Sequence, residues 1–336
     1  MADRFLELSG RDRRDALQVA SSASGRPIYL LEKDVWVVWA LETLFGGPFG
    51  SSLVFKGGTS LSKAYGAIRR FSEDVDLTYA INAMAPDLVA RYGWLPLTQS
   101  KANKMSGEIR KRRLPEWILR KALPEIESAL GSLGLPARAR ADGDKIHIEY
   151  DPLESGPPYV RPAVTLEFGA RSDGQPSEMR DVVCDAAQHL SVLSFPRASP
   201  RVMSIERTFW EKATAIHVCC AKHEIPERFA RHWYDLASLY EAGYVAAAVG
   251  ARDIAKRVAA EKERFFREKD VHGVVIDYHA AVEGSLQLVP TDGAFDQLSE
   301  DYHQMREGGL LLDDAVPFDR LIERCRLIEQ AANAAS

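Results

Sequence analysis

Leu53-Val54-Phe55-Lys56-Gly57-Gly58-Thr59-Ser60, followed by Asp74-Val75-Asp76-Leu77-Thr78-Tyr79, is the stretch that decides the fold. Leu53 to Phe55 is a short apolar run, the glycine pair breaks it, and Thr59 can cap a helix reaching about Gly66. From Asp74 to Ile81 the pattern alternates, so Val75, Leu77 and Tyr79 face away from Asp74, Asp76 and Thr78. The order is strand, tight glycine turn, helix, then a strand with two carboxylates on one face.

That order has a chemical logic for handling a nucleoside triphosphate. Glycine lets the backbone come close to phosphate, and amides at a helix start donate to anionic oxygen, which makes Lys56, Gly57, Gly58, Thr59 and Ser60 candidates for holding it. Hard divalent cations, Mg²⁺ or Mn²⁺, choose carboxylate oxygen, and carboxylates two residues apart on a strand point the same way about 7 Å apart. Asp74 and Asp76 are therefore the expected metal pair for in-line phosphoryl transfer. A third carboxylate is usually wanted. Glu167 fits, because Thr165 and Glu167 face opposite to Val164, Leu166 and Phe168, and Glu149 is its rival. The bland alternative is an ordinary turn followed by a solvated strand face.

Working outward, Ile28 to Phe45 carries apolar residues at helical spacing, with Leu30, Val37, Val38, Leu41 and Phe45 on one face, ended by Gly46, Gly47 and Pro48. Asp34 lies inside that stripe and reads as the buried partner of a nearby lysine or arginine. Gly107 to Leu133 reads as helical and strongly basic, interrupted by Pro115 and Pro124. Period two returns in Arg138 to Ala141, the Asp142-Gly143 turn signal and Ile146 to Tyr150, a hairpin, and again in Ala163 to Phe168. After Pro196 and Pro200 a long helix starts near Met203, and the remainder reads as helices.

A chain of 336 residues favours about two units. The expected division is a core of residues 1–195 and a helical part of residues 196–336. With 46% hydrophobic and 27% charged residues the composition is that of a globular protein, not a disordered or repetitive one. No apolar run approaches the roughly 18 to 20 residues that span a bilayer, and Met1 to Asp15 is too charged for a secretion signal, so a cytoplasmic protein without membrane partners is expected. Cys184, Cys219, Cys220 and Cys325 form no zinc pattern and read as reduced core thiols. A net charge of −5 means that any nucleic acid must be held by local basic patches.

In the helix from Met203, Lys212 interrupts the stripe of Ile205, Phe209, Ile216, Cys219 and Cys220, where a lysine can serve triphosphate as a point charge or snorkel out. Farther on, Arg228, Arg231, His232 and Asp235 crowd one flank of the helix whose core face is Phe229, Leu236 and Tyr240. Asp235 there can hold Lys212 or a metal-bound ligand, or belong to a surface ion-pair cluster. For an RNA acceptor, Lys101, Lys104, Arg110, Lys111, Arg112, Arg113, Arg120 and Lys121 can track phosphates with Trp117 stacking on a base, against the reading of a solvated helix face. Lys256, Arg257, Lys262, Arg264 and Arg267 form a second patch, interleaved with glutamates.

Five segments carry a family resemblance: Leu31-Glu32-Lys33-Asp34, Phe55-Lys56-Gly57-Gly58-Thr59, Phe71-Ser72-Glu73-Asp74-Val75-Asp76-Leu77, Thr208-Phe209-Trp210-Glu211-Lys212 and Tyr234-Asp235-Leu236. Over about residues 28 to 240 the chain resembles the AbiEii/MenT family, toxins of type IV toxin–antitoxin and abortive-infection systems within the DNA polymerase β-like nucleotidyltransferases. The resemblance implies that Gly58, Thr59 and Ser60 are the phosphate motif, Asp74 and Asp76 the metal pair, Lys212 the nucleotide-contacting lysine and Asp235 a further required aspartate. It also implies transfer of a nucleoside monophosphate from an NTP to an RNA end, the 3′ end of tRNA in particular, and a separately encoded antitoxin. The fold expected is α+β: a mixed, mainly antiparallel sheet flanked by helices, with a C-terminal helical domain bringing Lys212 and Asp235 to the cleft. Two other functions compete with this one, transfer to a protein side chain and a nucleotide- or RNA-binding module without turnover.

Overall fold

The computed structural model describes residues 3–72, 74–157, 160–308, 311 and 316–335. Glu73 of the acidic motif lies outside them. By packing, the chain forms two compact units, one of residues 1–64, 72–85 and 107–202, the other of residues 65–71, 86–106 and 203–336.

The first unit is built on a mixed seven-stranded sheet. In chain order its strands are β1 (Leu53–Lys56), β2 (Asp74–Tyr79), β3 (Ala137–Asp142), β4 (Lys145–Tyr150), β5 (Ala163–Gly169), β6 (Ser177–Met179) and β7 (Arg201–Met203), arranged β3-β4-β5-β2-β1-β7-β6. β3, β4 and β5 pair antiparallel, β5 runs parallel to β2, β2 antiparallel to β1, and β1 parallel to β7. Burial alternates along β2, β4 and β5 as the period-two reading requires, with Val75, Leu77, Ile146, Ile148, Val164 and Leu166 enclosed. The β3–β4 hairpin closes around Gly143, whose φ of 61° calls for glycine. β7 falls where a loop leading into a helix was expected and β6 where no element was assigned, since three residues are too few to display a period.

Helices α1 (Gly10–Ser24) and α2 (Ile28–Gly46) precede the sheet, and α3 (Gly57–Lys63) follows β1 directly. α2 was expected to be amphipathic, yet it is enclosed on nearly every side: Glu32, Lys33 and Asp34 are as buried as Trp36 and Val38. Each charge has a partner that makes this tolerable. Lys33 Nζ donates to the Arg161 carbonyl at 3.0 Å, Glu32 Oε2 accepts from Leu153 N at 2.8 Å, and Asp34 Oδ1 lies 2.6 Å from Lys63 Nζ. Trp36 stacks on Tyr150 with ring centroids 5.1 Å apart, which seats α2 on the apolar face of the sheet.

From Gln99 to Leu133 the chain is helical throughout, so Pro115 and Pro124 do not interrupt it. Each proline lies just after a π-helical turn, Ile109–Arg113 and Ile118–Ala122. The wider turn displaces the carbonyl that a proline ring would strike in an α-helix.

The second unit is built mainly of helices. Its main helices are α4 (Ile205–Lys222), α5 (Ala230–Glu241), α6 (Val245–Gly250), α7 (Arg252–Phe265), α8 (Asp292–Glu307) and α9 (Phe318–Ala334). α4 is capped by Ser204 and packs against α5, α6 and α7, while α5 also packs against α8 and α9. The start of α5 is held from a distance, because Asp301 of α8 accepts hydrogen bonds from Arg228 N and Ala230 N, both at 2.6 Å.

Candidate active site

The glycine turn and Asp76 are built against each other. Gly57 has φ +76°, and a Cβ added there would collide with Oδ2 of Asp76, so only glycine lets the turn lie on that carboxylate. The expected capping by Thr59 is not what the hydroxyl does, because the helix already begins at Gly57 behind an extended Lys56. Thr59 Oγ1 instead donates to the carbonyl of Asp74 and, at 3.4 Å, to that of Ser72, while Ser60 Oγ donates to the Gly57 carbonyl at 2.9 Å. Both side chains are enclosed. The Thr59 hydroxyl therefore pins the turn to β2, and the Ser60 hydroxyl closes the turn on itself.

Strand register sets out the polar face of the sheet. Lys56 of β1 lies opposite Asp76 of β2, Asp76 beside Glu167 of β5, and Glu167 opposite Lys145 of β4. Paired residues point the same way, so these four form one charged row, cation, anion, anion, cation. The neighbouring row holds Asp74, Thr165 and His147, with His147 Nδ1 3.2 Å from Thr165 Oγ1. Glu149 is placed four residues along β4 from Lys145, about 13 Å away, and is tied to Arg138 and Arg140 at 2.7 and 3.2 Å.

Glu167 stands beside Asp76, and its carboxylate is bonded to the Lys145 ammonium. That hydrogen bond raises the lysine above its ordinary pKa; burial opposes it, and the charges of Glu167, Asp74 and Asp144 add to it. Among the described residues no three His, Cys, Asp or Glu side chains are gathered closely enough to hold a metal alone. Asp74 and Asp76 still suit a small hard cation, which is typically held by one or two carboxylates and completed by substrate phosphate and water.

A second charged cluster lies within the helical unit. Lys212 of α4 and Asp235 of α5 meet, Nζ to Oδ2, at 2.7 Å, and Arg70 grips the same carboxylate with Nε at 2.7 Å and Nη2 at 2.8 Å. All three are buried, Asp235 completely. Burial alone would push the Asp235 carboxyl up, but the charges and hydrogen bonds of Arg70 and Lys212 reverse this and hold it far below the carboxylate range. His232, one turn earlier on α5, is kept neutral by burial and by the positive charges of Lys212, Arg231 and Arg70, against the pull of Asp235. Arg70 escaped the sequence reading because it sits in an irregular stretch, where no helical or strand period marks a charge as misplaced. Lys145 escaped it because register, not spacing, brings it to Glu167.

The nucleotidyl transferase AbiEii toxin model, a type IV toxin–antitoxin family, matches residues 39–324. The chain belongs to the AbiEii nucleotidyltransferase toxin family. It is thus a nucleotidyltransferase and the toxin member of such a system, with an NTP as donor and an antitoxin as partner. No curated protein sequence matches it. Among solved structures it is similar to MenT4, a nucleotidyltransferase toxin from Mycobacterium tuberculosis H37Rv, at 19% identity over 98% of this chain and 99% of that one, with a TM-score of 0.39.

The buried charge on α2 has the structural partner expected for Asp34. Lys63, the last residue of α3, lies 2.6 Å from Asp34 and 2.7 Å from Asp185, Asp34 Oδ2 accepts from Asp185 N at 2.6 Å, and Arg26 bonds Asp185. Burial first, then the Asp185 charge, raises Asp34 to about 6 against the pull of Lys63. The four cysteines are free and buried, as core thiols should be. Among the described residues no helix is long and apolar enough to cross a membrane.

Trp117 is not available for stacking on a base. Its ring packs against Phe49, Tyr79 and Phe168, at 5.2, 4.4 and 5.5 Å between centroids, on the apolar face of the sheet. The helical stretch around it therefore covers the face opposite Asp74 and Asp76. Of its basic residues Arg112 and Arg113 are paired with Glu108, and Arg120 with Glu116, while Arg110, Lys111 and Lys121 are exposed. Arg110 lies close enough to Arg171 for its charge, after burial, to help lower that guanidinium to about 10. In the helical unit, Lys256, Arg257 and Arg264 of the second patch pair with Glu283, Glu261 and Glu263.

Proposed function

We propose that this toxin transfers a nucleoside monophosphate from an NTP to the 3′ end of an RNA, tRNA foremost, with a divalent cation at Asp74 and Asp76. The observation that carries the reading is the Asp76 carboxylate seated against the Gly57 turn, with Asp74 on the same strand face. The RNA hydroxyl attacks the α-phosphorus, a new oxygen–phosphorus bond forms, and the bond to the β-phosphate breaks to release pyrophosphate. A bound cation supplies positive charge to the phosphates and acidity to the attacking hydroxyl.

The chain's own residues supply the rest. The Gly57–Gly58 backbone leaves room for phosphate, and Thr59 and Ser60 keep that backbone in place. Lys56 and Lys145 flank the carboxylates and offer positive charge to either end of the donor, while Glu167 fixes Lys145. Lys212, anchored by Asp235, contacts the nucleotide, a role the family resemblance suggests. A tRNA acceptor puts the work of the toxin in the cytoplasm.

The test incubates purified protein with total tRNA, Mg²⁺ and each of four α-labelled NTPs, beside Asp76→Ala. Label on RNA that the variant loses is the expected result. Label on protein would move the acceptor to a side chain, and bound NTP with no transfer would make the chain a binding module.

A further inference from the structure

Asp235 is the hub of the helical unit's charged cluster, and Arg70 determines how that hub is oriented. The guanidinium fork takes both carboxylate oxygens, at 2.7 and 2.8 Å, and its planar geometry sets the plane of the carboxylate. Lys212 must then approach Oδ2 from the one direction left to it, at 2.7 Å. A lysine ammonium is a point charge on a flexible four-carbon stem and has no preferred direction of its own. Without the fork the carboxylate can rotate and take the ammonium with both oxygens, drawing it onto Asp235. Arg70 and Asp235 side chains are 5% and 0% exposed, so water cannot replace the fork.

We propose that Arg70 is a positioning residue for nucleotide binding: its two-pronged grip on Asp235 fixes the ammonium of Lys212 where a phosphate of the NTP meets it. The proposal rests on reading Lys212 as the nucleotide-contacting lysine. Arg70 acts through Asp235 and Lys212, so its loss shows in affinity for the NTP and adds nothing once Lys212 is gone.

The experiment measures NTP dissociation constants by calorimetry for the full chain and for Arg70→Gln, Arg70→Lys, Lys212→Gln and the double Arg70→Gln/Lys212→Gln variant, with melting temperatures alongside. The expected result is affinity at least tenfold weaker in Arg70→Gln, weaker by a smaller factor in Arg70→Lys, and within twofold of Lys212→Gln in the double variant. A folded Arg70→Gln that binds within twofold of the unmodified chain overturns the proposal. So does a double variant whose loss is the product of the two single losses. If Arg70→Gln is insoluble, Arg70→Lys decides by the same comparison. If neither can be folded, the ion pair is a folding element and the proposal falls. Unchanged binding in Lys212→Gln would remove the reading of Lys212 itself, a failure recognisable because it appears without any change at Arg70.

Discussion

Gly57 and Asp76 cannot both keep their places if position 57 gains a methyl group, because the new carbon would overlap the carboxylate oxygen. Gly57→Ala must therefore displace either the turn or the carboxylate, and it must also hold a positive φ that costs about 1–2 kcal/mol for an L-residue. The expected outcome is loss of at least a hundredfold in transfer rate, with a melting temperature lower by only a few degrees. An active Gly57→Ala protein would show that Asp76 does not need its present seat.

The network under the turn predicts a different balance. Lys63→Met leaves the carboxylates of Asp34 and Asp185 facing each other without their shared cation, and removing one partner of a buried pair costs about 3–5 kcal/mol. Urea unfolding should report that loss. Adding Asp34→Leu should recover a large part of it, and failure to recover would mean that Lys63 contributes something besides charge balance.

Glu32 gives a pH signature. Burial raises its carboxyl from 4.5 to about 7, against the Leu153 N–H and the charge of Arg13, and its Oε1 has no hydrogen-bond partner among the described residues. A folded pKa above the unfolded one means that Glu32 contributes stability that is complete below about pH 4.5 and lost as pH rises through about 7. Glu32→Gln, neutral throughout, should be the more stable protein at pH 8 by on the order of 2–3 kcal/mol. The advantage should shrink as pH falls and close only below about pH 4.5. A gap that ignores pH would place the effect in packing.

These three positions differ in how far the sequence announced them. Gly57 and Asp76 were legible because glycine and a period-two carboxylate pair are local signals that need no partner to be recognised. Asp34 was legible as a charge inside an apolar stripe, although the stripe understated α2, which is buried nearly all round because its charges find partners on distant segments. Lys63, Asp185, Arg70 and Lys145 were not legible as partners, since they reach their carboxylates across as many as 165 positions of chain. The prolines misled for a related reason. A proline signals a break only while the helix stays α, and two π turns remove the clash.

For the RNA acceptor proposed above, Trp117 and the basic stretch around it separate two routes. Because Trp117 packs on the apolar face of the sheet, Arg120 and Lys121 belong to the side away from Asp74 and Asp76, while Arg110 shares its surroundings with Arg171 and Asp144, next to Lys145. For the proposed RNA acceptor this makes Arg110, rather than Lys121, the phosphate contact to test first. Arg110→Glu combined with Lys111→Glu should raise KM for the RNA about tenfold at moderate salt. It should also reduce the slope of log affinity against log salt by about one for each phosphate left without its cation. Arg120→Glu combined with Lys121→Glu should change KM less than twofold, and all four exposed positions should leave the melting temperature nearly untouched. Trp117→Ala should do the reverse, destabilising the fold by about 3 kcal/mol because its ring no longer fills the space between Phe49, Tyr79 and Phe168, without a selective loss of RNA affinity. If the pair at 120 and 121 proves the more damaging, the RNA approaches across the far side of the sheet, and the acceptor must be long enough to fold around its edge.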